Sequence, residues 1–273
     1  MKNTLKTAGL LAGLGALFMV IGGALGGTTG LAIGLLLGIA FCGGSYWFSD
    51  KLAIRAAKAQ PVSRADAPEL YAIVEDLARR AEIPMPKVYL SPEQQPNAFA
   101  TGRGPRHAAV CVTQGITQVL DQDELRGVLA HELSHVKHRD ILIGSVAAAV
   151  ALAITFAARM AFWFGGDNNF VASLLMMILA PMAAMLIQMA ISRSREFEAD
   201  AGGARLCGTG EPLANALEKI EGYAKRVPMN VPQAEASAYI INPLTGRKLQ
   251  FAGLFSTHPP TEERVRRLRA ASE

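Results

Sequence analysis

The sequence predicts a mainly α membrane protein, with four transmembrane helices in two hairpins and an α+β part that contains a small sheet. Three observations predict this class. Charge is absent from Thr7 to Ser49, a second apolar region runs from Ile141 to Ser192, and amphipathic, charge-bearing stretches lie between and after them. The 273 residues are 51% hydrophobic and only 18% charged, which excludes intrinsic disorder, a state that needs little apolar surface and much charge. A mean hydropathy of +0.23 is high for a soluble chain and low for an all-membrane one, so the apolarity is concentrated in segments. The segments divide the chain into residues 1–49, 50–140, 141–192 and 193–273.

The first segment is too long for one span. As a single helix, Thr7 to Ser49 would extend about 65 Å, against a hydrocarbon core of about 30 Å. The break falls at Gly26-Gly27-Thr28-Thr29-Gly30, leaving spans near 7–26 and 30–48. Gly22, Gly26, Gly30, Gly34 and Gly38 recur every four residues, a spacing that lets membrane helices approach closely; the plainer alternative is that glycine is common in spans. Lys2 and Lys6 precede the first span, but no small-x-small site follows it before the second apolar run, which argues against a cleaved signal peptide. The region 141–192 splits at Gly165-Gly166-Asp167-Asn168-Asn169. Arg159 lies near the end of its span, where a long side chain snorkels to the interface, and Pro181 is tolerated as a kink. A transporter would need paired ionisable groups at mid-membrane, and Arg159 is the one charge inside a span.

Basic residues set the orientation. Lys2, Lys6, Lys51, Arg55, Lys58, Lys137, Arg139, Arg193 and Arg195 flank the spans, and neither turn carries Lys or Arg. By the positive-inside rule both hairpins enter from the cytoplasm, with both termini inside. The net charge is +4, and much of the basic character is this flanking charge rather than a nucleic-acid surface, since no basic tract is interleaved with aromatics. Cys42, Cys111 and Cys207 form no disulfide framework and fit a reducing compartment.

In the polar stretches, Pro68 starts a helix whose Leu70, Ile73, Val74 and Leu77 form an apolar stripe, ended by Pro84 and Pro86. Residues 87–90, 97–101 and 108–113 read as strands, the last two joined by Gly102-Arg103-Gly104-Pro105. Asp121 with Glu124 makes a capping box at the start of a helix containing Leu125, Val128 and Leu129. Residues 211–226 read as another helix, and the proline-bearing 227–250 as a long loop, a length typical of functional or mobile segments. Thr261 to Ala270 reads as a basic terminal helix after Pro259-Pro260.

The helix after Asp121 contains His131-Glu132-Leu133-Ser134-His135. Histidines at i and i+4 share one helix face and can ligate one ion. Glu132 is then placed to take a proton from a metal-activated water. A catalytic zinc usually takes a third protein ligand and keeps one position open. The continuation that would place a third histidine at 141 is absent, because residue 141 is Ile. Glu196 and Asp200 in Ser194-Arg195-Glu196-Phe197-Glu198-Ala199-Asp200 are also i, i+4 and share a face, whereas Glu198 points away. Such a pair can supply a ligand and a carboxylate that holds a ligating histidine, or it can be an ordinary solvated acidic turn.

With these residues in view, the chain resembles the HtpX family of membrane zinc metalloproteases, relatives of the CAAX prenyl endopeptidases. The resemblance covers essentially the whole chain, from the two N-terminal spans through HELSH and the second hairpin to REFEADA. It implies a zincin-like α+β catalytic domain holding one Zn2+ through His131, His135 and Glu196, with Glu132 as general base and Asp200 supporting a ligand. Asn97, in Asn97-Ala98-Phe99-Ala100, resembles the family's substrate or oxyanion contact. His258 and Arg264, in His258-Pro259-Pro260 and onward, are similar to a transition-state stabiliser and its support. The alternatives from the residues themselves are a turn residue after Pro96 for Asn97 and a helix-start residue for His258. His138 and His107 receive no role. The implied activity is endopeptidase cleavage of membrane proteins, misfolded or damaged ones above all, or of peptides, at the cytoplasmic face of a bacterial-type inner membrane. Implied partners are the lipid bilayer and membrane proteases or chaperones, with no nucleic acid. The competing class is an inactive zinc-binding membrane scaffold, for which Glu132 would be dispensable.

Three spatial expectations follow. His135 lies about 9 Å of helix before Ile141, and Glu196 about 6 Å after Ser192, so both metal-bearing helices are expected to run straight into the second hairpin. The strand 108–113 is expected to pair with an extended substrate, and loop 227–250 to cover the site.

Overall fold

The computed structural model describes residues 2–141, 193–226 and 259–271. The expected second hairpin beyond Ile141, the loop 227–250 and His258 lie outside these residues. What is described is mostly helical, with one small mixed sheet.

Helix α1, Lys2–Ala56, is interrupted at Gly26 and Gly27. Gly27 has φ +56°, a left-handed conformation that glycine adopts without a Cβ clash. The two arms fold back on each other. A Cβ at Gly22 would overlap the Gly30 carbonyl, and one at Gly34 would overlap that of Phe18. Gly22, Gly30, Gly34 and Gly38 thus lie on the contact face between the two arms, while Gly26 lies in the turn with open space around it. Phe18 and Phe41 pack at 5.5 Å between centroids, and the Cys42 thiol reaches the Leu11 carbonyl at 3.3 Å. Among the described residues one stretch, Gly26–Gly44, is long and apolar enough to cross a membrane, and it is only 11% buried inside the protein; Leu11–Val20 is a shorter apolar stretch. Val20, Ile33, Leu36 and Ile39 are all more than half exposed. The second arm of the hairpin thus presents apolar side chains outward.

The sheet has the order β1-β2-β4-β3, with β1 Gln60–Pro61, β2 Lys87–Ser91, β3 Ala98–Gly102 and β4 Ala108–Thr113. β4 runs parallel to β2 and antiparallel to β3. Every residue of β4 is buried, as its unbroken Ala-Ala-Val-Cys-Val run suits a central strand. This corrects the expectation that residues 108–113 pair with a substrate: both edges of β4 are already occupied. Among the described residues β3 is the edge strand on that side.

Helix α2, Pro68–Ala81, buries Leu70, Val74 and Leu77. After the short α3, Gln114–Val119, comes α4, Gln122–Lys137, started by the complete Asp121–Glu124 capping box. α5 is Arg193–Cys207, α6 Glu211–Arg226 and α7 Thr261–Ala270. α4 is central and packs on α2, β3, α5 and α6. Its Val128, Leu129 and Leu133 are wholly buried, with Ile116, Leu217 and Ile220 in the same core. Polar ties hold the periphery: Arg126 of α4 pairs with Asp76 of α2, and Lys219 of α6 reaches Glu124 at 2.7 Å.

α4 does not run straight on. It ends at Lys137, with His138 as its cap, and Arg139 takes a left-handed φ of +61°. This corrects the expectation of a continuous helix from the HExxH motif into the second hairpin. The break has a local purpose. It turns the chain so that Asp140 N–H donates to the His135 carbonyl at 2.9 Å, which brings the Asp140 carboxylate back over the motif.

Candidate metal centre

His131 and His135 project from one face of α4, and Glu196 from the first turn of α5. Ligand atoms of the three lie within 4.8 Å of one another. His131 Nε2 is 3.8 Å from Glu196 Oε2, and His135 Nε2 is 3.5 Å from Glu196 Oε1. The rings meet edge to face at 4.7 Å between centroids. Two backbones must come close for this to happen. Gly203 permits it, since a Cβ there would stand 2.9 Å from the His131 nitrogen. The i, i+4 spacing in each helix therefore becomes one convergent set across two helices.

Each imidazole is held from behind by a carboxylate. His131 Nδ1 lies 2.8 Å from Asp200 Oδ1, and His135 Nδ1 lies 3.3 Å from Asp140 Oδ2. Asp200 is in turn gripped by Arg264 of α7, with Nε to Oδ2 at 2.9 Å and Nη2 to Oδ1 at 2.7 Å. Arg264 is 1% exposed. A bidentate guanidinium fixes a carboxylate in the plane that suits its next partner. Burial alone would push the Asp200 carboxyl up, but Arg264 and His131 hold it well below the usual range. Burial likewise lowers Arg264, and Asp200 outweighs it so that the guanidinium is held more firmly charged.

The metal-free set is strongly anionic toward His135. Burial pushes the imidazole down, yet Asp140, Glu196 and Glu132 raise it to about 9. A pocket that holds an imidazolium this firmly is charge-matched to a cation. Two imidazole Nε2 atoms and a carboxylate aimed at one point, with both Nδ1 atoms occupied by carboxylates, are the donor set and outer support of a zinc site. The residues present fit the ion.

Glu132 is buried, and its Oε2 accepts a hydrogen bond from the Ala100 N–H at 2.9 Å. β3 thereby lies against the site. Asn97, at the entry to β3, is buried and fastened by its backbone: its N–H donates to Thr113 Oγ1 at 2.9 Å and its carbonyl accepts from the Thr113 N–H at 3.0 Å. His138 Nδ1 lies 3.3 Å from Ser134 Oγ. His107 lies in a 3-10 turn, Pro105–His107, before β4.

Two residues at the site escape sequence reasoning. Asp140 reaches His135 only because of the bend at Arg139, and neither glycine nor proline marks that bend. Arg195 is buried beside Asp140 and Glu196, whose charges oppose its desolvation. One of its guanidinium nitrogens has no hydrogen-bond partner among the described residues. Its position beside Glu196 in Arg195-Glu196 was the available signal.

The model of peptidase family M48 matches residues 64–272. A protease HtpX homolog of Salinibacter ruber is 54% identical over 267 residues, covering 97% of each chain. One from Methylibium petroleiphilum is 53% identical over 279 residues, covering 99% of this chain and 98% of its own. The crystal structure of S. mikatae Ste24p shares the fold, with a TM-score of 0.51 at 18% identity, covering 98% of this chain and 64% of that one. A zinc-binding donor set on this fold, with these relatives, makes the protein a metalloprotease that acts on protein substrates. The chain belongs to peptidase family M48 and, within it, to the HtpX proteases.

Proposed function

We propose that the protein is a multi-pass endopeptidase of a bacterial-type cytoplasmic membrane, cleaving misfolded or damaged membrane proteins at the cytoplasmic face. His131, His135 and Glu196 hold one zinc ion, and the observation that carries the reading is their convergence beside the buried Glu132 carboxylate. The outward apolar surface of the first hairpin's second arm supports membrane insertion, and the flanking basic residues support cytoplasmic placement of residues 50–140 and 193–273. A second hairpin over 141–192 completes four spans in this reading. Membrane proteases or chaperones are its expected partners.

Bound there, zinc supplies the Lewis acidity that makes water nucleophilic near neutral pH and polarises a peptide carbonyl. Glu132 accepts the proton of the attacking water and returns it to the leaving amine. Its Ala100 hydrogen bond aims the carboxylate. Asp200 and Asp140 keep each imidazole oriented, and Arg264 keeps Asp200 ionised and fixed. Asn97 and His258 donate hydrogen bonds to the developing oxyanion. β3, the edge strand against Glu132, is the place for an extended substrate to add its backbone.

The test is cleavage of a membrane-protein substrate by detergent-purified variants. Glu132→Gln retains zinc and fold but loses activity by a factor of about a thousand or more, in line with a lost general base and its electrostatics. His131→Ala loses zinc as well. Native-level cleavage by Glu132→Gln would overturn the assignment.

A further inference from the structure

A cavity of about 500 Å³ lies away from the metal centre, between the end of α1 and the sheet. Its rim carries Lys51, Arg55 and Lys58 from the end of α1 and the loop after it, Lys87 of β2 and Arg106 of the 3-10 turn, against a single acidic lining residue, Asp50. Lys58 is matched by Glu93 at 3.5 Å. Among the described residues, Lys51, Arg55, Lys87 and Arg106 have no carboxylate within ion-pair distance. Ile54, Met85, Tyr89 and Ala109 supply apolar wall. Cations that outnumber the carboxylates on a concave surface raise its potential and concentrate anions.

The position of this cavity selects the anion. It begins one turn beyond Trp47 and Phe48, both about half exposed, the ring types that sit at membrane–water interfaces. Arg103 stacks on Trp47 at 4.4 Å, tying the β3–β4 turn to the end of the helix. Lys51 and Arg55 follow the charge-free span by about 5 and 10 Å of helix, the depth of lipid headgroups. A cationic rim over an apolar wall suits a phosphodiester carrying acyl chains better than a free ion.

We propose that this cavity binds the phosphate of an anionic phospholipid from the adjoining leaflet, seating the sheet and α4 at a fixed height on the bilayer. The proposal rests on the membrane reading above. The test uses the full chain in neutral detergent and counts retained lipid by native mass spectrometry, with phosphatidylglycerol, phosphatidylcholine or excess inorganic phosphate added. Phosphatidylglycerol is retained and phosphatidylcholine is not. Lys87→Gln with Arg106→Gln lowers retention about tenfold or more, the weight of two interfacial cations. Arg205→Gln with Arg226→Gln removes the same charge elsewhere and leaves retention unchanged. Lys87→Arg with Arg106→Lys keeps it, and zinc content is native in all. Equal losses in the cavity pair and the distant pair would overturn the proposal, as would loss in the charge-keeping pair. Full displacement by inorganic phosphate would assign the cavity to a soluble anion and overturn the lipid. Carbonate extraction of cell membranes tests the membrane reading separately: release of the chain sinks that reading whatever the lipid count shows.

Discussion

At the scale of single residues, the site is a set of charges that hold one another in place. Asp140 shows how much depends on an outer contact. Asp140→Asn keeps the shape but removes the charge behind His135 Nδ1, and zinc affinity is expected to fall about 10- to 100-fold; a competitive chelator titration of the purified variant measures it, and unchanged affinity would remove Asp140 from the site. Protons compete for the same ligand. In the metal-free protein the His135 pKa is raised to about 9, so the protonated form is the native one near neutrality. Binding needs the neutral imidazole. Zinc affinity is therefore expected to rise by up to about tenfold per pH unit toward about pH 9 and to level off above it, releasing a proton in calorimetry in buffers of different ionisation enthalpy. A flat profile would contradict this.

At the scale of elements, the site exists because α4 and α5 touch closely. Gly203 stands where a side chain would press on the His131 backbone. Gly203→Val is expected to push the two helices apart and lose most of the zinc while the far-ultraviolet helical signal persists; full zinc content would show that the contact is dispensable. Elements with strong local signals were legible in the sequence. The stripe from Leu70 to Leu77, the Asp121–Glu124 box and the prolines before Thr261 each mark an observed helix. Residues 211–226, read as a helix, coincide with α6. β1 was not legible, because two residues, Gln60 and Pro61, carry no alternation. The bend at Arg139 was not legible either, since a left-handed arginine is paid for by the Asp140–His135 contacts and not announced by its own residue type. The central place of β4 is a matter of pairing order, which strand composition only hints at through the unbroken apolar run.

At the scale of the whole molecule, the two polar stretches of the chain make one centre. His131 and His135 precede the second apolar region, and Glu196 and Asp200 follow it, with Arg264 arriving from the last helix. HExxH on a capped helix was visible from spacing alone. That Glu196 faces the histidines, and that Arg264 is buried behind Asp200, required the packing of α5 and α7 on α4. The measurement closest to this claim is zinc per chain in the detergent-purified full-length protein and in Glu196→Ala. The expected result is about one zinc in the native chain, as a single set of three protein donors allows, and almost none in Glu196→Ala. A full zinc complement in Glu196→Ala would show that the two stretches do not share the metal and would contradict the structure of the site.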